Sequence, residues 1–188
     1  MEEETLLQFL DLAEKLKCHT RHSWTSSGRQ ESVAEHVYRL LVFAWLVREE
    51  FPDYDMNRVM ELALFHDMGE ALTGDIPAFE KAESDAQKEE EIYENWVAGF
   101  PEPQRTQFQE LLAEMEALET KEAKIYKALD KLEAVIQHDE SDISTWIPLE
   151  YDLQLEYGKE QVKFSPYFKN LKSVIDEWTR NKIAEAQK

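Results

Sequence analysis

The sequence predicts a single all-α domain, and three features of the chain lead to that fold class. Glycine and proline are scarce, with 5 and 6 copies among 188 residues. Long stretches repeat apolar residues at steps of three and four, which is the spacing of an amphipathic helix. No pair of segments has the apolar–polar alternation that is typical of paired strands. The chain is long enough for one substantial core, so we expect one helical bundle over residues 1–188.

The helices can be placed in order from their apolar stripes and their end signals. The first covers Val33–Val47, with Ser32 as its N-cap and Glu35 completing a capping box. The second begins at Met56, runs to Leu72 and ends at the latest at Pro77. Four later helices are predicted by the same spacing, at Ser84–Ala98, Gln104–Leu118, Glu122–Asp139 and Tyr167–Ala186.

The charge of the chain excludes one class of partner and favours another. The net charge is −19, whereas binding to a nucleic-acid polymer needs a basic surface. The segment Lys15–Arg48 is an exception, because it holds six basic residues and only two acidic ones. A small anionic ligand could bind there, and the alternative is a chance cluster on a solvated helix face.

The cysteine content, the N-terminal charge and the length of the apolar runs indicate the cellular compartment. Cys18 is the single cysteine, so the chain forms no internal disulfide, which fits a reducing environment. The N-terminus is acidic where a secretion signal would be basic. No run of about 18 apolar residues is present to span a membrane. We therefore expect a cytoplasmic protein with no membrane partner.

The stretch "LALFHDMGEALTGDIP" places charged side chains in a helix that otherwise looks buried on nearly all sides. His66 and Asp67 are adjacent, and Glu70 lies one turn beyond His66 on the same face. An unpaired carboxylate in such a setting costs on the order of several kcal/mol. A divalent metal ion would compensate for it, since imidazole nitrogen and carboxylate oxygen are both good ligands. A hydrogen-bonded core histidine is the alternative.

Two side chains from one helix reach only one side of an ion, so further ligands must come from other helices. His36 is a candidate, on the flank of the apolar stripe of the first helix. Asp130 lies well off the stripe of its own helix, and periodicity alone predicts a surface aspartate. His19 and His22 lie in a polar, loop-like stretch and His138 lies near a helix end, so each is predicted at the surface.

Three motifs together resemble the HD-domain metal-dependent phosphohydrolases, and more narrowly their 5′-deoxynucleotidase branch. They are "ESVAEHVYRL", "LALFHDMGEALTGDIP" and "YKALDKLEA", and their order and spacing match from about Leu16 to Gln137. The resemblance implies a single helical HD-domain bundle over residues 1–188. The motifs lie in a core of about 16–140, and a helical tail covers 141–188.

The resemblance also implies a metal centre and the acids beside it. The metal ligands would be His36, His66, Asp67 and Asp130. Mn²⁺, Co²⁺, Fe²⁺ or Zn²⁺ would suit this mixed site, with Mg²⁺ as a further option. Glu70 matches the acid that orients or activates the attacking water, and Asp75 matches a second acid near the cleft. Some family members bind a second cation, and an all-oxygen site at Glu70, Asp75 and the Ile76 backbone would suit Mg²⁺.

The segment "RHSWTSSGRQES" resembles the strip of the family that contacts phosphate and sugar. Arg21 would pair with the phosphate, because its planar fork suits two phosphate oxygens. Trp24 would pack on the nucleoside or exclude a 2′-hydroxyl. Arg29 would either bind phosphate or brace Glu31 and Glu35. In bacterial members the arginine and the tryptophan are adjacent, whereas here two residues separate them, which leaves sugar and base selectivity open.

The resemblance implies a phosphomonoesterase that converts 2′-deoxynucleoside 5′-monophosphates to deoxynucleoside and phosphate, with a small-molecule nucleotide as its partner. Within enzymes, the alternative is an HD phosphohydrolase of a cyclic dinucleotide, a nucleoside triphosphate or an alarmone, although the chain has no GYP signature. Outside enzymes, the alternative is a non-catalytic acidic binding module, which a broken ligand set would indicate. The branch often forms homodimers, and exposed faces of the later helices could serve as the interface.

Overall fold

The computed structural model describes residues 1–76 and 83–187, and it confirms the all-α fold class. Its elements in chain order are α1 (Glu3–Lys15), β1 (Thr20–Trp24), β2 (Gln30–Ser32), α2 (Val33–Leu46), α3 (Met56–Phe65), α4 (Glu70–Thr73), α5 (Glu83–Ala98), α6 (Gln104–Ala117), α7 (Lys121–Glu140), α8 (Glu150–Glu156) and α9 (Pro166–Ala186). One-turn 3₁₀ helices follow α2 and α7, at Arg48–Glu50 and Ile143–Thr145.

Helix α7 is the centre of the bundle. Helices α2 and α3 pack against it and against each other, and α9 packs against it as well. The side chains of Ile125, Leu129 and Leu132 on α7 are fully buried, as are Leu40 on α2 and Leu62 on α3. Each such side chain contributes about 1.5–3 kcal/mol by leaving water. This three-helix core holds the helices that carry the polar site in a fixed arrangement.

The start of α2 follows the sequence prediction. The hydroxyl of Ser32 accepts a hydrogen bond from the Glu35 amide at 3.3 Å, and the Glu35 carboxylate accepts one from the Ser32 amide at 2.9 Å. This reciprocal pair is a capping box, which satisfies amides that the first turn of a helix leaves without partners. The cap therefore sets where α2 begins, one turn before His36.

The two-stranded sheet is a feature that the sequence analysis did not predict. Strands β1 and β2 are antiparallel, with Thr20 opposite Ser32 and Trp24 opposite Gln30. The turn between them contains Gly28 at φ +84°, a conformation that favours glycine. The strands have only five and three residues, too few to show a clear apolar–polar alternation. β1 also packs on α7, which brings the chain before α2 to the central helix.

The prediction of one helix from Met56 to Leu72 is wrong. Helix α3 ends at Phe65, a turn covers residues 66–69, and α4 begins at Glu70. Within the turn the hydrogen bonds tighten to a spacing of three residues, from the Met68 amide to the Phe65 carbonyl at 3.2 Å, for example. This break changes the direction of the side chains that follow α3. The predicted stop at Pro77 lies outside the described residues.

Across residues 1–76 and 83–187, the helices all lack the combination of length and apolar character that crossing a membrane requires.

Candidate active site

Four side chains from three parts of the bundle converge beside α7. His36 comes from α2, His66 and Asp67 from the turn after α3, and Asp130 from α7. The Nε2 atom of His36 lies 3.4 Å from the Asp130 Oδ1 atom and 3.8 Å from the Asp67 Oδ2 atom. The Nε2 atom of His66 lies 3.0 Å from the Asp67 Oδ1 atom and 3.7 Å from the Asp130 Oδ1 atom. The structure thus brings together all four residues of the expected ligand set.

The donor atoms of this cluster fit a metal ion. The Nε2 atoms of His36 and His66 are buried, and among the described residues neither makes a well-directed hydrogen bond, although carboxylate oxygens lie 3.0–3.8 Å away. Ligand atoms of His36, His66 and Asp67 lie within 4.8 Å of one another, a spacing that one ion can bridge. Two imidazole nitrogens with carboxylate oxygens suit a divalent transition metal. A bound cation would therefore give the two buried Nε2 atoms a partner.

The opposite nitrogen of each imidazole fixes which atom faces the cluster. The Nδ1–H group of His66 donates to the carbonyl oxygen of Ala63 at 2.8 Å. The Nδ1–H group of His36 donates to the carboxylate of Glu133. With the proton on Nδ1, each Nε2 atom presents a lone pair to the cluster. The sequence analysis missed Glu133, although an acid three residues after Asp130 in a buried helix was a signal for it.

Asp130 is buried, so the periodicity prediction of a surface aspartate is wrong. Only 5% of the residue is exposed, because α7 is surrounded by other elements and its polar face is covered too. Its Oδ2 atom lies 2.9 Å from the ammonium of Lys127 and 3.5 Å from that of Lys131. Burial would raise the pKa of Asp130, but the two lysines outweigh it and hold this pKa well below its usual value.

A cavity of about 220 Å³ opens beside the cluster. Arg21 on β1 lines it, with its Nη1 atom 3.2 Å from the Glu31 Oε2 atom and 3.7 Å from the Glu133 Oε2 atom. Burial would lower the pKa of Arg21, but these two carboxylates, followed by Asp67, outweigh it and raise this pKa. Arg21 therefore places a permanent positive charge at the wall of the cavity.

Glu70, Asp75 and Ile76 line the same cavity. Burial first, and then the charges of Asp67 and Asp75, raise the pKa of Glu70 to about 9. The Glu70 Oε2 atom is buried without a hydrogen-bond partner among the described residues. Burial also raises the pKa of Asp75. Such a group of acids at one wall binds a proton or a cation readily.

Trp24 and Arg29 lie outside the described lining of the cavity. The Trp24 ring packs edge-on against His22, which does line the cavity, with ring centroids 5.2 Å apart. Arg29 is more than half exposed, and its Nη1 atom donates to the Glu35 Oε2 atom at 2.8 Å. Of the two roles that the sequence left open for Arg29, the geometry matches the bracing of Glu35.

The far wall of the cavity comes from α8, the end of α7 and β1, and it includes two histidines that were predicted at the surface, His138 on α7 and His22 on β1. His138 and His22 both line the cavity, and each faces the Glu150 Oε1 atom, at 3.8 Å and 3.4 Å. The side chain of His138 is only 12% exposed, so its surface prediction is wrong. Burial first, and then Arg21 and His22, lower the pKa of His138 to about 4.

Comparison with known proteins gives consistent results. The profile of the HD domain family matches residues 13–172. The 5′-deoxynucleotidase HDDC2 of Homo sapiens is 36% identical over 140 residues, which are 72% of this chain and 68% of that protein. The Xenopus laevis protein of the same name is 35% identical over 195 residues, or 97% and 91% of the two chains.

A solved structure also resembles this fold. The crystal structure of a predicted metal-dependent phosphohydrolase from Magnetospirillum magnetotacticum superimposes with a TM-score of 0.79. The match covers 94% of this chain and 92% of that one, at 24% sequence identity. At that identity the likeness shows that the two chains share a fold.

Proposed function

This chain belongs to the HD domain family, and from this premise we propose that it hydrolyses 2′-deoxynucleoside 5′-monophosphates to deoxynucleoside and phosphate. It is a hydrolase of the metal-dependent nucleotide phosphohydrolase class. The relatives named 5′-deoxynucleotidase support the substrate class. The positive charge of Arg21 at the wall of the cavity agrees with a phosphate ester as the substrate.

In the proposed mechanism four residues would hold one divalent ion, namely His36, His66, Asp67 and Asp130. When bound, the ion supplies Lewis-acid stabilisation of negative charge on the phosphate oxygens. Arg21 binds the phosphate and offsets charge on the phosphoryl oxygens, since positioning and electrostatics dominate phosphoryl transfer. Glu70, with a pKa of about 9, carries its own proton at neutral pH, and positive charge from Arg21 and from a bound cation favours its loss. The resulting carboxylate would accept the proton of the attacking water, with Asp75 as the second acid beside it.

The finer assignments belong to the same proposal. The mixed nitrogen and oxygen set favours Mn²⁺, Co²⁺, Fe²⁺ or Zn²⁺ at the first site. A second ion, Mg²⁺, would lie at Glu70, Asp75 and Ile76. Trp24 would act on the sugar through its contact with the cavity-lining His22. A cytoplasmic location, a homodimer and a phosphate contact of Arg29 stay predictions.

One observation gives the proposed function its strongest support. Two buried Nε2 atoms that make no well-directed hydrogen bond among the described residues face two carboxylates, next to the half-buried Arg21 that lines the same cavity. A non-catalytic helical module has no need for such a set, since unsatisfied buried polar atoms destabilise a fold. The complete ligand set therefore favours the enzyme over a binding module.

The test is a panel of ribo and deoxy nucleoside 5′-monophosphates assayed with each of several divalent metals. We expect deoxy substrates to be preferred, and equal hydrolysis of both sugars would remove the proposed role of Trp24. No hydrolysis of any member by metal-loaded protein would refute the function.

Two variants test the roles of the residues. Asp67→Ala should lose metal and activity together. Glu70→Gln should keep the first metal and lower kcat by about 10²–10⁴-fold, the usual contribution of a general base. Wild-type turnover in Glu70→Gln would remove Glu70 from the mechanism, and full metal content in Asp67→Ala would remove Asp67 from the ligand set.

A further inference from the structure

Glu133 is a buried carboxylate that no part of the proposed mechanism uses. It lies on α7 and is 1% exposed. Its Oε2 atom accepts the hydrogen bond from the Nδ1–H group of His36 and lies 3.7 Å from the Arg21 Nη1 atom. Its Oε1 atom lies 3.6 Å from the Nε atom of Arg39. One carboxylate thus contacts a metal-ligand candidate, the phosphate-binding candidate and a second arginine.

The surroundings of Glu133 hold it in one place. Arg39 is itself anchored, because its guanidinium donates to Gln137 at 2.7 Å and to Glu140 at 2.7 and 3.0 Å. Taking a carboxylate out of water is costly, and an apolar residue of similar size is often as stable or more stable at such a position. The packing of the core therefore does not by itself account for an acid here.

We propose that Glu133 is a positioning residue that orients His36 toward the metal ion and Arg21 toward the phosphate through the same carboxylate oxygen. The inference rests on the proposed function, because it takes the metal site and the phosphate contact as given. A carboxylate that accepts from the Nδ1–H group fixes the ring orientation and makes the opposite nitrogen a stronger ligand. The shared oxygen would then keep the ion and the phosphate at a fixed separation.

Glu31 provides a matched control for this role. It is 2% exposed, and its Oε2 atom lies 3.2 Å from the Arg21 Nη1 atom and accepts from the Ser23 hydroxyl at 2.8 Å. It therefore resembles Glu133 in charge, burial and contact with Arg21. The two glutamates differ in that His36 donates its Nδ1–H hydrogen bond to Glu133. Comparing the two glutamates separates an effect through His36 from an effect through Arg21.

The experiment measures the Mn²⁺ dissociation constant of full-length wild type, Glu133→Gln and Glu31→Gln by competition with a chelator, beside KM and kcat. We expect Glu133→Gln to weaken Mn²⁺ binding by about 10–100-fold. We expect Glu31→Gln to leave Mn²⁺ binding close to that of wild type, because the hydrogen bond from His36 goes to Glu133, while KM rises in both variants. Equal Mn²⁺ affinity in Glu133→Gln and wild type would overturn the inference. A wild type that binds no Mn²⁺ would instead refute the proposed function.

A second measurement needs no substitution and so does not depend on the folding of a variant. In Zn²⁺-loaded wild type, nitrogen-15 NMR of the histidine rings reports which nitrogen carries the proton. The inference requires the proton of His36 on Nδ1, where Glu133 accepts it. A proton on Nε2 of His36 would overturn the inference.

Discussion

Arg21 is the residue whose removal tests both the stability and the chemistry of the site. Its side chain is 17% exposed and lies between Glu31 and Glu133, which are 2% and 1% exposed. The substitution Arg21→Ala leaves these two buried carboxylates without the cation that they share. It also removes the fork that would contact two phosphate oxygens.

The remaining contacts set the size of the effect on stability. Removing one partner of a buried ion pair costs about 3–5 kcal/mol. Ser23 still donates to Glu31, and His36 and Arg39 still face Glu133, so we expect the lower limit. A loss of about 3 kcal/mol lowers the Tm of a chain of this length by about 6–12 °C. Loss of a charge-assisted hydrogen bond, about 1.5–3 kcal/mol, should raise KM by about 10–100-fold.

The assay compares thermal unfolding of wild type, Arg21→Ala and the double variant Arg21→Ala/Glu31→Gln, with nucleotide KM measured beside it. The second substitution removes one of the two stranded charges, so it should restore at least about 1 kcal/mol in the double-mutant cycle. A Tm of Arg21→Ala within 2 °C of wild type, about 0.5–1 kcal/mol by the same scale, would refute the reasoning. An absence of recovery in the double variant would refute it as well.

Two further predictions test the stability of the fold. Burial raises the pKa of Asp139 from 3.8 to about 6, so the folded state binds this proton more tightly than the unfolded state and stability falls as the pH rises through that range. Asp139→Asn should therefore nearly match the wild-type Tm near pH 4 and exceed it at pH 8. The shift from 3.8 to about 6 sets an upper limit of about 3 kcal/mol, or about 6–12 °C, on that gain. Equal Tm values at pH 8 would contradict this. Gly158 has φ +80°, and an added Cβ would lie 3.2 Å from the Lys131 Cβ atom, whereas Gly28 at φ +84° has open space. Gly158→Ala should lower Tm by more than Gly28→Ala, each including about 1–2 kcal/mol of backbone strain, and equal losses would exclude the clash with Lys131.

The predicted helices and the observed ones agree where neighbouring residues decide the outcome. The last helix was expected from Tyr167 to Ala186 and runs from Pro166 to Ala186, because its apolar spacing is regular. The helix from Met56 was expected to continue through the motif and instead breaks after Phe65. When a helix is apolar on nearly all sides, its residues show no stripe whose interruption would mark a break in the helix.

In the candidate site too, features set by neighbouring residues were predictable from the sequence, whereas those set by distant contacts were not. The sequence by itself determined the helical class, the capped start of α2 at Ser32 and the candidate cation ligands His66 and Asp67, since caps and stripes depend on residues a few positions apart. Only the tertiary structure decided that Asp130 is buried and that His36 donates to Glu133, 97 residues away in the chain. Those facts depend on what packs around α7, and packing between distant segments leaves no periodic signal along the sequence.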